Sequence, residues 1–285
     1  MFFDPLFLIE MEFKHSVLSR YISECTGTFF LVLTAGCNVL GMSTAGAISV
    51  GSMLMCMIYA LGSVSGAHFN PAVTFAIYLS GRSLISIKDV GGYMLSQLTG
   101  GSLAGLLCEA IFRTPFTLKF GKRFHDDHAK VMAAEVLYTV ALCYVVLNVA
   151  TTASQRGNQY FGIAIGFTVL SAAIAIGVIS NCCLNPAVAL GSLIASKIDS
   201  EDVSLGHYYV YFLMPMLGSI FGALAFYMVR RKDEYEPHNL GFLVLTEKVE
   251  PAPVLLPPMS NPTGIVVAHV GLTSSDDEEA EELEH

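Results

Sequence analysis

The chain has 285 residues, 53% of them hydrophobic and 14% charged, with a net charge of −9. A soluble domain carries about a quarter charged residues, so this balance excludes an ordinary globular protein and points to lipid. Much of the negative charge sits in the terminal SSDDEEAEELEH and says little about the apolar part; no nucleic-acid partner is expected.

Residues 1–20 form an N-terminal segment. Its start, MFFDPLFLIEMEF, is interrupted by Asp4, Glu10 and Glu12 and lacks the basic region of a signal peptide. The first apolar stretch, 21–41, therefore serves as the targeting segment. Five more follow at 45–64, 90–112, 131–152, 160–179 and 207–229. About 20 apolar residues span a hydrocarbon core of about 30 Å, and backbone in lipid must bond to itself. All six stretches read as transmembrane helices. After the second comes SGAHFNPAV and after the fifth NCCLNPAV. Asn is a favoured N-cap and Pro is favoured at the first helical position. Helices therefore start at both places and run over 70–80 and 185–195, roughly 15 Å each and half a bilayer. Residues 113–130 connect the two parts of the chain. The stretch 231–285, with its prolines and acidic end, reads as a disordered tail. Within it Ser274 and Ser275 precede acidic residues and suit an acid-directed kinase.

Placing Glu24 over Glu135 sets Thr28 on Thr139 at an offset of 111, close to the 115 that separates the NPAV copies. Two halves result, 21–112 and 131–230. Each holds an acid-bearing helix, a second helix, an NPA segment and a third helix. Three spans per half is odd, so the halves enter from opposite faces as an inverted repeat. The expected fold is an all-α membrane protein of six transmembrane helices plus two half-helices in an inverted 3+3 repeat. Lys14, Arg20, Arg82, Lys88, Arg156 and Arg230-Arg231-Lys232 share the side of the termini and favour cytoplasmic termini, although loop 113–130 on the other side is also basic.

Half-helices from opposite faces meet tip to tip near the midplane, with Ala72 and Ala187 small enough for contact. Capping uses the Asn oxygen and leaves the NH2 groups of Asn70 and Asn185 to donate to whatever lies between. Each tip directs the positive end of its dipole there, so a water is oriented and a cation repelled. SGAHF and NCCL expose carbonyls, which is tolerable at this depth only along a water-filled cavity. Donors at the centre and carbonyls on both sides describe a pore for small neutral hydrogen-bonding molecules.

The motifs Asn70-Pro71-Ala72 and Asn185-Pro186-Ala187, with SGAHFNPAVT, Glu24, Gly27-Thr28, Gln97 and Glu135, resemble the major intrinsic protein (aquaporin) family over about 18–230. The resemblance implies that family's fold, with a homotetramer holding one pore per subunit. It also implies an integral multi-pass protein of the lipid bilayer, in the plasma membrane or an intracellular vacuolar membrane. Four residues line the narrowest point in that family; counted back and forward from the two NPA motifs, they fall on Val50, Ala173, Cys182 and Val188. Water-selective members carry an aromatic at the first, His at the second and Arg at the last. The set here has no ring, charge or strong donor. The constriction therefore reads as wider and more apolar, a selectivity filter that admits ammonia, urea, hydrogen peroxide or glycerol beside water. Part of the cation barrier is left to the half-helix dipoles. Against glycerol, Ala189 stands where the glycerol-conducting branch has Asp, and Tyr211 and Phe212 precede Pro215 as in water channels.

A carboxylate within a span is costly and calls for a role. Glu24 and Glu135 read as acceptors for backbone N–H groups of the loops before the NPA motifs, or as a proton-coupling pair. Gln97 reads as a similar brace. His68 reads as a packed part of its loop or as a pH gate. Cys182 faces the pore mouth as a place for mercury block, and the seven cysteines otherwise read as small buried hydrophobes. In FHDDH the ligands of a metal would be too close together. With no nucleophile–base pair, metal cluster or nucleotide loop, the chain reads as a passive channel rather than an enzyme, with no cofactor. The alternatives are a secondary transporter, which also uses inverted repeats and broken helices, or a channel whose main cargo is not water.

Overall fold

The computed structural model describes residues 15–124, 127–155, 157–198 and 205–235. The chain divides into Met1–Leu245 and Thr246–His285. The second unit, with Ser274 and Ser275, lies outside the described residues, as do residues 1–14 and Arg156.

Eight α-helices lie among the described residues: α1 Val17–Leu40, α2 Gly46–Ser65, α3 Pro71–Leu79, α4 Ile87–Phe112, α5 His128–Ala150, α6 Phe161–Ser180, α7 Pro186–Ile198 and α8 Leu205–Tyr235. Six of them, all but α3 and α7, are long and apolar enough to cross a membrane. The half-helices α3 and α7 have 9 and 13 residues, about 14 and 20 Å at the α-helical rise. The second outruns the expected 185–195 because Lys197 joins its last turn, where a cation suits the negative end of the helix dipole.

Several helices begin or end beyond the apolar stretches that announce them. The oxygen of Ser16 accepts from Ser19 N at 3.1 Å and starts α1 at Val17, within the N-terminal segment. Ser86 starts α4 by accepting from Asp89 N at 3.1 Å. Asp127 starts α5 inside the connecting loop by accepting from Lys130 N at 3.2 Å. At the other end of the chain α8 runs to Tyr235, into the stretch expected to be tail. Hydropathy marks where hydrocarbon ends, whereas a helix ends where a side chain satisfies its terminal backbone groups.

The packing repeats between halves. α1 lies on α4 as α5 lies on α8, and α4 holds α7 as α8 holds α3, while α2 crosses α6 between them. Small residues set these distances. A Cβ at Gly105 would stand 2.0 Å from Gly191 O, and one at Gly101 would stand 2.3 Å from Ala187 O. At the α2–α6 crossing a Cβ at Gly51 would meet Gly166 O at 2.7 Å, and one at Gly166 would meet Gly51 O at 2.6 Å. Helix association in lipid rests on such close packing, because lipid is as apolar as leucine. Leu95, Val178 and Met228 stand exposed on the outer faces, which suits hydrocarbon.

Candidate transport pore

Both half-helices are reached by the same backbone path. α2 and α6 end on left-handed residues, Gly66 at φ 90° and Asn181 at φ 63°. Ala67 (φ 53°) and Phe69 (φ 50°) follow in the first loop, Cys182 (φ 52°) and Leu184 (φ 51°) at the matching places in the second. A left-handed turn costs an L-residue about 1–2 kcal/mol, so each loop needs outside support.

The two buried glutamates supply it. Glu24 Oε1 accepts from Ser65 Oγ at 2.6 Å and His68 N at 3.0 Å, and its Oε2 from Phe69 N at 2.7 Å and Gln97 Nε2 at 2.8 Å. Glu135 Oε1 accepts from Cys183 N at 3.0 Å and its Oε2 from Leu184 N at 2.8 Å. Gln97 also donates to Thr74 Oγ1 at 2.9 Å, tying α4 to α3. His68 shares that hydroxyl through Nδ1 at 3.1 Å and lies edge-on to Tyr93 with ring centroids 5.1 Å apart.

At the tips, Asn70 Oδ1 accepts from Ala72 N and Asn185 Oδ1 from Ala187 N, each at 2.9 Å. The side-chain amides are not wholly free, however. Asn70 Nδ2 donates to Leu184 O at 2.9 Å and Asn185 Nδ2 to Phe69 O at 3.0 Å. Each NH2 thus spends one hydrogen on the opposite loop and keeps one. The crossed pair stitches the halves together where the two half-helix tips meet, with Ala72 and Ala187 fully buried beside it and Pro71 and Pro186 starting the two helices.

A cavity of about 520 Å³ runs past these groups. Val50 on α2, Ala173 on α6, Cys182 in the second loop and Val188 on α7 all line it, together with Asn70, Asn185 and His68. Glu24, Glu135 and Gln97 stand behind the wall, fully buried. The cavity is also lined by residues that the motifs do not announce. Phe116 and Leu118 come from the connecting loop, where alternation in PFTLKF was the available signal. Leu84, Ile85 and Thr151 line the end nearest the described termini.

That end carries a buried ion pair. Arg82 Nη1 lies 3.3 Å from Glu234 Oε2 and donates to Thr151 O at 2.8 Å, while Nη2 donates to Thr151 Oγ1 at 2.5 Å. The guanidinium lies 4.4 Å over the Phe226 ring. Glu234 accepts from Ala153 N at 3.1 Å, and Tyr235 OH donates to Ser80 O at 2.5 Å. The last turn of α8 is thereby fastened to the segments that follow α3 and α5.

Among the described residues no group of three His, Cys, Asp or Glu could hold a metal. Asp127 pairs with Lys130 Nζ at 2.7 Å, which holds its carboxyl below the usual carboxylate range. His128 Nδ1 lies 3.3 Å from Tyr209 OH; His125 and Asp126 lie outside the described residues.

The model of the major intrinsic protein family matches residues 11–226. The chain is 33% identical to the putative aquaporin NIP4-1 of Arabidopsis thaliana, over 75% of this chain and 76% of that protein. It is 31% identical to a probable NIP-type aquaporin of Nicotiana alata, over 76% of this chain and 80% of that one. Among solved structures, the aquaglyceroporin from Plasmodium falciparum superposes with a TM-score of 0.63 at 20% identity, covering 74% of this chain and 96% of that one. At that identity the likeness concerns the fold.

Proposed function

The chain belongs to the major intrinsic protein family of membrane channels, and from that premise we propose that it carries water together with other small neutral solutes. The supporting observation is one cavity lined by both NPA asparagines and by Val50, Ala173, Cys182 and Val188, with an aliphatic side chain where the family resemblance puts Arg. The asparagines each keep one N–H for the file of permeant molecules. The two half-helix dipoles point their positive ends at the centre and oppose cations. At the filter no fixed guanidinium narrows the bore, so ammonia, urea, hydrogen peroxide and, less readily, glycerol pass beside water. The protein is a homotetramer with one pore per subunit and cytoplasmic termini, in the plasma membrane or a vacuolar membrane.

Proteoliposomes under water, urea, glycerol and ammonia gradients test this reading. The expected result is flux linear in gradient with a low activation energy, and a urea-to-water ratio that falls on Val188→Arg. Saturating flux would identify a transporter instead, and unchanged ratios in Val188→Arg would remove the filter assignment.

A further inference from the structure

The connecting loop gives the cavity a wall that the four counted positions do not include. Phe116 and Leu118 line the cavity at only 1% and 5% exposure, packed in one apolar cluster with Val188 and Cys183. Ser192 fixes their backbone. Its hydroxyl donates to Phe116 O at 2.8 Å and accepts from Leu118 N at 3.0 Å and from Tyr208 OH at 2.8 Å. One donor and two lone pairs are then all used. Further along, Gly121 N donates to Ile179 O at 2.9 Å, and a Cβ at Gly121 would stand 1.8 Å from Val178 O. Ser192 lies one helical turn beyond Val188, and Ile179 lies three residues before Cys182. Both anchors therefore hold the loop at the level of the candidate filter.

We propose that Leu118 is a fifth wall of that constriction and determines its specificity, with Ser192 as the positioning residue that holds it there. The inference rests on the channel reading above. Val50, Ala173, Cys182 and Val188 are all smaller than leucine, so Leu118 brings more apolar bulk to the cavity than any of the four counted positions. Backbone bonds on both sides of Leu118 leave it only rotamer freedom. It offers a solute no hydrogen bond, which weighs most against molecules that must shed several hydrating waters, such as polyols.

Matched amounts of wild-type and variant protein in proteoliposomes are compared by the glycerol-to-water and urea-to-water permeability ratios. Leu118→Ala should raise the glycerol ratio about threefold or more, and Leu118→Phe should lower it by a similar factor, since a few methylenes decide fit in an apolar slot. Ser192→Ala should shift the ratio in the direction of Leu118→Ala, and Ser192→Thr, which keeps the hydroxyl, should restore it. Should Leu118→Ala fail to fold, Leu118→Val serves in its place. Ratios unchanged in the Leu118 variants while Val188→Arg shifts them would overturn this inference and leave the channel reading intact. A wild-type chain without flux would overturn both.

Discussion

The two glutamates permit a sharp test because their partners can be counted. Glu24→Ala leaves the buried N–H groups of His68 and Phe69 without the acceptors they have at 3.0 and 2.7 Å. An orphaned buried donor costs about 1–3 kcal/mol, so the pair costs about 2–6 kcal/mol before any void is counted. Against a total stability of about 5–15 kcal/mol, that is a large share. Ser65 and Gln97 also lose an acceptor, but Gln97 keeps Thr74. Glu24→Gln retains one acceptor oxygen and turns an NH2 toward donors on the other side, so one backbone N–H is orphaned, at about 1–3 kcal/mol. Thermal unfolding in detergent should therefore rank wild type above Glu24→Gln above Glu24→Ala. For a chain of this size the Ala variant should fall by about 5–20 °C. Osmotic flux should fail with it, because Ala67 and Phe69 are no longer held in left-handed backbone and the carbonyls of their loop lose their aim. An Ala variant that melts within about 2 °C of wild type and conducts normally would refute the reasoning.

Removing either Arg82 or Glu234, whose side chains are 4% and 7% exposed, strands the other charge and should cost about 3–5 kcal/mol. The double variant should cost less than the sum of the two, and a strictly additive cycle would mean the pair is not coupled. Gly105→Leu drives a side chain into Gly191 O and should abolish the monodisperse folded peak on size exclusion; normal elution would contradict the α4–α7 packing. The Asp127 carboxyl is held below its ordinary value by Lys130, so its contribution is complete above about pH 4 and is lost as pH falls through the lower folded value. Protection of the Lys130 amide, corrected for intrinsic exchange, should drop only in that acidic range, and a decline already at neutral pH would rule the cap out.

What was legible in the sequence is what local chemistry writes into a short window. Asn-Pro-Ala-Val leading into an apolar run announces a helix start, and two such copies, each with a glutamate ahead of it in its half, place both loops. Counting from Asn70 and Asn185 to Val50, Ala173, Cys182 and Val188 brought all four to one cavity, because helical register carries through loops of equal length. The crossed amides were not legible, since a free NH2 looks the same in sequence whether or not an opposite carbonyl waits for it. Nor was the partnership of Arg82 with Glu234, 152 residues apart, or of Ser192 with a loop 74 residues earlier. Both depend on how the halves close on each other, and neither residue sits in a motif.

The glycines between α4 and α7, and between α2 and α6, bring backbone against backbone with no side chain in between. A contact of that kind has no rotamers to adjust, so the frame has one size and does not swell to suit its contents. Any substitution in the wall of the cavity is therefore made inside a casing of fixed calibre. A side chain on the cavity wall, such as Val188, can then be exchanged without asking the rest of the bundle to move.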